Sequence, residues 1–219
     1  MKIFKVALFV FALAASIYAQ ERYVTPVDEA IKDASFMAFR TKLIAAAERK
    51  DLAYVKSIMD PNIKLSFGGH TGLKGFDQLW KNKADFWDQF PPVIKNGGRF
   101  TGEGRNKMNS FTAPYLYTEM PDDLDAFDHH VIFGNNVNLR ERPSMQAKVL
   151  DQLSYNVVKA KDTVFSASDR SKPEWIRIET LGGKTGYVNA RYVRSPIDYR
   201  AGFEKKRGVW KMTFFIAGD

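Results

Sequence analysis

The three histidines of this 219-residue chain, at positions 70, 129 and 130, are its best candidates for acid–base or metal chemistry. His129 and His130 are adjacent, so in a strand their side chains point to opposite faces and would not bind one ion together. The sequence contains no HExxH, no histidine pair at i and i+4, and no GxSxG. It contains no cysteine, which excludes disulfides, thiolate metal sites and a cysteine nucleophile. We therefore predict a protein without catalytic residues, metal or cofactor.

Carboxylates offer a second kind of chemistry, the paired acid and base of a glycosidase. Glu48 with Asp51, or Glu103 with Glu119, could form such a pair, but the spacing fixes neither a cleft nor a carboxylate separation. We interpret these side chains as surface charges. A cell-wall hydrolase that uses a carboxylate remains an alternative function.

Two loops could bind ions. Gly68–Gly72 follows a predicted strand and could cradle an anion, but it lacks the P-loop lysine pattern, so we favour a simple turn. Residues 120–130 contain four aspartates and no basic residue. The glycine and terminal glutamate of an EF-hand are missing there, so we favour an acidic linker over a calcium site.

Aromatic and basic residues between positions 155 and 192 are the best candidates for recognition. Aromatic rings offer an apolar contact surface, and lysine and arginine form strong hydrogen bonds with carboxylates. This combination suits a short peptide that carries a carboxylate. The predicted ligand-binding residues are Tyr155, Trp175, Arg177, Lys184, Tyr187, Arg191 and Tyr192. The sequence leaves open whether Trp175 and Tyr187 belong to a core or line a groove.

Charge is distributed unevenly along the chain. Residues 20–130 carry a balance of −1, and residues 131–219 carry a balance of +7. A basic surface favours anionic partners such as wall polymers, peptide carboxylates, lipid head groups or nucleic acid. The alternative is a solvated surface that keeps the protein in solution.

The elements that must position these residues are short strands. Between Val137 and Tyr192, β-branched and aromatic runs separated by polar turns predict a small all-β barrel. Their order resembles the bacterial SH3 (SH3b) family over residues 130–194, through VNLR with Pro143, Val149-Leu150, Trp175-Ile176, Gly186-Tyr187-Val188 and Tyr192-Val193. The resemblance implies an SH3-like barrel in which Arg140 and Pro143 belong to the opening strand and turn. It also implies a binding module of an exported, wall-associated protein.

Residues 36–128 have an α+β pattern. Helical spacing predicts a helix from Phe36, a second short helix capped by Asp51, and a third over 76–90 that two prolines interrupt. Alternation predicts a strand over 62–67, and residues 100–117 read as one or two further strands. Residues 20–35 are predicted to be a disordered lead-in.

Two β-rich runs within residues 196–219 predict a C-terminal β-hairpin that turns at Lys206-Arg207-Gly208. Because an isolated hairpin is marginally stable, it should add to a sheet. It could complete the N-terminal sheet, which would make the barrel an insertion, or it could extend the barrel. The opening helices and final strand also resemble an NTF2-like cone, with a plain α+β domain as the alternative.

Residues 1–19 are predicted to be a secretory signal peptide, with an uncleaved anchor as the alternative. Lys2 and Lys5 precede an apolar run over 6–15 that is short for a membrane span, and Ala19 precedes a cleavage site at Gln20. We therefore expect a periplasmic or secreted protein without stable membrane insertion and without a nucleic-acid partner.

The function predicted from the sequence is non-enzymatic binding in the cell envelope. The expected ligands of the SH3b module are peptidoglycan peptides. A structural or protein-interaction module that docks an envelope protein is the first alternative.

Overall fold

The computed structural model describes residues 20–218, so the predicted signal peptide lies outside the described residues. The predicted combination of an α+β region with a small β-barrel is confirmed. Residues 20–218 contain five α-helices: α1 (Ala34–Glu48), α2 (Leu52–Ser57), α3 (Gly72–Leu79), α4 (Lys83–Lys95) and α5 (Tyr115–Glu119). The strands are β1 (Met59–Lys64), β2 (Arg99–Phe100), β3 (Ser110–Ala113), β4 (His129–Ile132), β5 (Val137–Arg140), β6 (Val149–Leu153), β7 (Val157–Phe165), β8 (Pro173–Thr180), β9 (Thr185–Asn189), β10 (Val193–Arg194), β11 (Arg200–Lys206) and β12 (Val209–Ile216). Within residues 20–218, no helix combines the length and apolar character that a membrane crossing requires.

Aspartates begin the first two helices. The Asp33 carboxylate accepts the Phe36 N–H at 2.8 Å, and the Asp51 carboxylate accepts the Tyr54 N–H at 3.0 Å. Each cap satisfies a backbone donor that the helix itself leaves free. The predicted capping role of Asp51 is thereby confirmed.

The helical region that follows differs from its prediction. The expected single helix over 76–90 is wrong, because the chain turns after Leu79 and α4 continues through Pro91 and Pro92. A proline removes a backbone donor and usually interrupts a helix. Phe90 and Val93, on either side of the prolines, are fully buried, and this apolar burial offsets the lost hydrogen bonds.

A five-stranded sheet joins strands from before and after the barrel in the order β1-β12-β11-β3-β2. β1 pairs in parallel with β12, and the other neighbours are antiparallel. The hairpin of β11 and β12 turns at Arg207 and Gly208, both with positive φ, as tight two-residue hairpins require. It lies in the middle of the sheet, so the barrel is interposed in sequence between strands of one sheet.

Aromatic rings fill the core between this sheet and the helices. Trp210 on β12 is 4% exposed, and its ring centroid lies 4.8 Å from that of Phe36 on α1. Its indole N–H donates to the Ser35 hydroxyl at 3.0 Å. The last strand therefore stabilises the first long helix directly.

The second sheet contains seven strands in the order β10-β4-β7-β8-β9-β5-β6, and all its pairs are antiparallel. It curls around a small apolar core. The buried residues of that core are Ile132, Val137, Leu139, Leu153, Val158, Ile178, Val188 and Val193.

The lead-in over residues 20–35 is not disordered, which corrects the prediction. Val24 is buried and donates its N–H to the Tyr155 carbonyl at 2.8 Å, against the barrel. Asp28 pairs with Arg40 on α1 and bridges to Gly98. Because these partners are distant in sequence, local composition did not reveal them.

A small apolar cluster joins the two units. Its buried members are Val24, Tyr115, Leu116, Val131 and Val157, which come from the lead-in, α5 and the barrel. The acidic segment before β4 adds an ion pair, because Asp123 contacts Arg22 of the lead-in at 2.6 Å. The apolar cluster thus holds the barrel against the α+β unit, and the exposed ion pair joins the lead-in to the acidic segment.

Candidate functional site

One outward face of the barrel is built by β5, β8 and β9. Alternate residues of these strands point inward, and the inward set is Val137, Leu139, Ile176, Ile178 and Val188. The intervening residues therefore point outward. Trp175 pairs across the strands with Asn189, while Arg177 and Arg140 both pair with Tyr187.

A pocket of about 170 Å³ lies at one end of this face, and we call it the barrel pocket. Its polar lining residues are Asn135, Asn136, Asn138, Arg140, Asn189 and Arg191, and its apolar ones are Val137, Met145, Trp175 and Tyr192. Both charged lining residues are arginines. The pocket therefore combines positive charge, amide groups and an aromatic surface, and no carboxylate of residues 20–218 lines it.

Trp175 forms the floor of the barrel pocket. Its side chain is only 4% exposed although it stands on the outward face of β8. Met145 lies at the rim and is more than half exposed. The question that the sequence left open for Trp175 has a mixed answer, because the ring is buried and also lines a groove.

Arg140 fixes the loop that forms one side of the pocket. Its guanidinium donates to the Ala147 carbonyl at 2.8 Å. The Glu141 N–H donates to the Lys148 carbonyl at 3.0 Å, which closes the base of the same loop. Arg140 thus helps to hold the loop, in agreement with the structural role that the family resemblance implies.

Arg191 and Tyr192 come from a short 3-10 turn between β9 and β10. The Asn189 side chain caps this turn by accepting the Arg191 N–H. The Arg191 guanidinium lies 4.6 Å from the centre of the Tyr192 ring, and it makes no salt bridge within residues 20–218. Arg191 therefore offers an exposed cation beside an aromatic ring.

The seven predicted binding residues do not all meet in one place. Trp175, Arg191 and Tyr192 line the barrel pocket. Arg177 and Tyr187 lie on the same outward face but are not among its lining residues.

Lys184 and Tyr155 lie elsewhere. Lys184 stands at the turn between β8 and β9 and forms a salt bridge with Asp151 on β6. This contact raises the pKa of Lys184 and lowers the pKa of Asp151. Tyr155 lies in the turn between β6 and β7, where its N–H donates to the Gly134 carbonyl and its carbonyl accepts from Val24.

Three of the four carboxylates considered for acid–base chemistry, Glu48, Asp51 and Glu119, have structural partners. Glu48 forms a salt bridge with Lys95 at 2.8 Å, and Glu119 forms a two-pronged contact with Arg99. Asp51 caps α2. In the part of the chain from 20 to 218, no group of three or more histidines and acids is arranged to hold a metal ion.

The comparison with protein families agrees with the barrel. Residues 135–194 match the bacterial SH3 domain. The match begins after β4 and ends with β10, so the resemblance stated from the sequence is confirmed for this part of the chain. No curated protein matches the chain.

Sequence reasoning missed Asn138, Asn189 and Met145, which also line the barrel pocket. A signal for Asn138 was present, because it stands between Val137 and Leu139 and so faces away from the core. No pattern marked Met145, because a loop residue reaches the pocket only through the fold of its loop.

Proposed function

We propose that the protein is an exported, non-enzymatic binding protein whose barrel pocket recognises carboxylate-bearing peptides of the cell wall. The bacterial SH3 domain at residues 135–194 is consistent with a wall-binding or peptide-binding module. The observation that carries the proposal is the composition of the barrel pocket, where Trp175 and Tyr192 stand beside Arg140 and Arg191. A stem peptide of peptidoglycan offers the complementary carboxylates and apolar groups.

The recognition mechanism combines three kinds of contact. Arg191 is exposed and would form charge-assisted hydrogen bonds with a carboxylate. The rings of Trp175 and Tyr192 would contact aliphatic parts of the peptide. The asparagines around the rim would bind the peptide backbone, since an amide offers both a donor and an acceptor.

A sedimentation assay with purified peptidoglycan tests this proposal on the full mature chain. We expect the protein to sediment with the wall material at low salt. Binding should decrease as salt rises, because exposed charges are screened within about 8–10 Å at ordinary ionic strength. Part of the binding should persist at high salt, since the aromatic contacts do not depend on charge.

The alternatives give different results in the same assay. Failure to sediment at low salt would overturn the wall-binding proposal and favour a module that docks an envelope protein. Release of soluble muropeptides by the purified protein would favour a hydrolase instead.

Export is part of the proposal and rests on Lys2, Lys5 and the apolar run before Ala19. The mature protein should begin at Gln20 and occur in a periplasmic or secreted fraction. N-terminal sequencing of the purified protein tests this, and a retained Met1 on a cytoplasmic protein would contradict it.

A further inference from the structure

A second concave surface lies between the barrel and α4, and we call it the interdomain groove. Its larger section has a volume of about 810 Å³. The barrel side contributes His130, Arg191 and Arg194, and α4 contributes Asp85 and Asp88. The barrel wall is mainly basic, although Asp198 also lines it, and the α4 wall is acidic.

The groove adjoins the barrel pocket, because the two share lining residues. A smaller section of the groove, of about 690 Å³, lies beside Pro91 and Pro92 of α4. Arg191 lines the barrel pocket and both sections of the groove, and Tyr192 lines the pocket and the smaller section. A chain-like ligand that contacts Arg191 in the pocket can therefore continue toward α4. The groove is large enough for several further residues of a peptide, whereas the pocket alone is small.

The basic wall contains polar atoms without partners. The Nη2 atom of Arg194 and the Nδ1 atom of His130 are buried and have no hydrogen-bond partner within residues 20–218. Asp198 is the charged group that acts on both from nearby, yet it forms no salt bridge with either in that range. Arg194 lines both sections of the groove and forms no salt bridge within residues 20–218, so its guanidinium charge is available to an acidic group from outside the chain.

The acidic wall has carboxylates within reach of the same ligand. Asp88 is exposed on α4 and lies 3.9 Å from Lys172 of the barrel, a loose contact across the groove. Asp85 accepts a hydrogen bond from Asn82 at 3.1 Å and has no salt bridge among the described residues. Both carboxylates lie on α4 and could bind an ammonium group that enters the groove.

We propose that the peptide bound in the barrel pocket extends past Arg191 into the interdomain groove, where Arg194 binds a carboxylate and Asp88 binds a side-chain amine. This inference rests on the proposed function and adds the ligand class, a peptide with both a free carboxylate and a free amine. Stem peptides that contain a diamino acid have this chemistry. The α+β unit then takes part in ligand binding, because α4 supplies the carboxylate that binds the amine.

Calorimetric titration of the full mature chain with a lysine-containing stem tetrapeptide tests the groove. The matched ligand is the same peptide with its side-chain amine acetylated. Asp88→Asn should weaken binding of the free-amine peptide by about 2- to 5-fold, the range of an exposed ion pair, and leave binding of the acetylated peptide unchanged. Arg194→Gln should weaken binding of both peptides by on the order of 10-fold, because a charged hydrogen bond is lost.

Lys172→Gln is the matched control for Asp88→Asn. It removes the contact between Lys172 and Asp88 but keeps the carboxylate. We expect it to keep or improve binding of the free-amine peptide. A loss equal to that of Asp88→Asn would show that the contact across the groove matters rather than recognition of the amine, and would overturn the proposal.

The outcomes separate this inference from the proposed function. If the unaltered protein binds neither peptide, the proposed function itself fails. If it binds both peptides equally, and Asp88→Asn and Arg194→Gln change neither affinity, the barrel pocket acts alone and the groove inference fails. Thermal melting of each variant checks that a loss of affinity is not a loss of folding.

Discussion

Trp175 and Asn189 stand opposite each other on adjacent strands, and both line the barrel pocket. The pairing places a buried indole ring beside a half-buried amide on the outward face of the barrel. Trp175 is thus part of the packing and part of the candidate site. Substitutions of different size should separate these two roles.

Trp175→Phe should weaken peptide binding more than it weakens folding, because a smaller ring keeps the apolar floor but loses contact area. Trp175→Ala should lower the free energy of unfolding by about 3–5 kcal/mol, the usual effect of removing a buried aromatic side chain. Urea unfolding and calorimetric titration measure the two effects. If Trp175→Phe lowers the free energy of peptide binding and the free energy of unfolding by the same amount, the ring belongs to the core alone.

The C-terminal hairpin should be essential for the α+β unit. Trp210→Ala should destabilise the protein by about 3–5 kcal/mol, because its ring packs on Phe36 in the core. The adjacent Val209 is more than half exposed, so Val209→Ala should change stability by less than about 0.5 kcal/mol. Urea unfolding of the two variants compares them. Similar stabilities for both would show that the contact with α1 contributes little.

Stability should depend on the protonation of His130. Burial lowers the pKa of His130 below its usual 6.5, and the nearby Asp198 opposes this only in part, while His129 adds to the lowering. The unfolded chain then binds more protons than the folded one, so this contribution to stability falls as the pH drops from about 6.5 through the folded-state pKa. The difference in unfolding free energy between pH 7.5 and pH 5 should therefore be smaller in His130→Gln. If this difference in unfolding free energy is the same in His130→Gln as in the unaltered protein, the pH dependence does not come from His130.

The sequence predicted the barrel well because its signals are local. Alternation around Leu139 and Val188 separates inward from outward residues, and the turn at Arg207-Gly208 specifies a hairpin without reference to the rest of the chain. The cap at Asp51 is local in the same sense. Each of these features requires information from only a few neighbouring residues.

Features that depend on distant partners were not predictable. α4 continues through Pro91 because the fold buries residues on both sides of it, and the lead-in is ordered because Val24 meets Tyr155. Closeness in sequence also does not show which of the predicted binding residues lie together in the fold. Lys184 and Arg191 are close in sequence, yet one pairs with Asp151 and the other lines the barrel pocket.

That difference between Lys184 and Arg191 allows a direct test of peptide recognition by the barrel pocket. Both side chains are exposed cations on the barrel, so Arg191→Gln and Lys184→Gln remove the same charge. Calorimetric titration of a stem peptide into each full-length variant at low salt should show on the order of 10-fold weaker binding for Arg191→Gln. Lys184→Gln should bind nearly as well as the unaltered protein, and both should keep its melting temperature within a few degrees, since exposed charges contribute little to folding. Equal losses of affinity in the two variants would mean that the peptide is attracted by overall charge and not held in the barrel pocket, which would contradict the central claim.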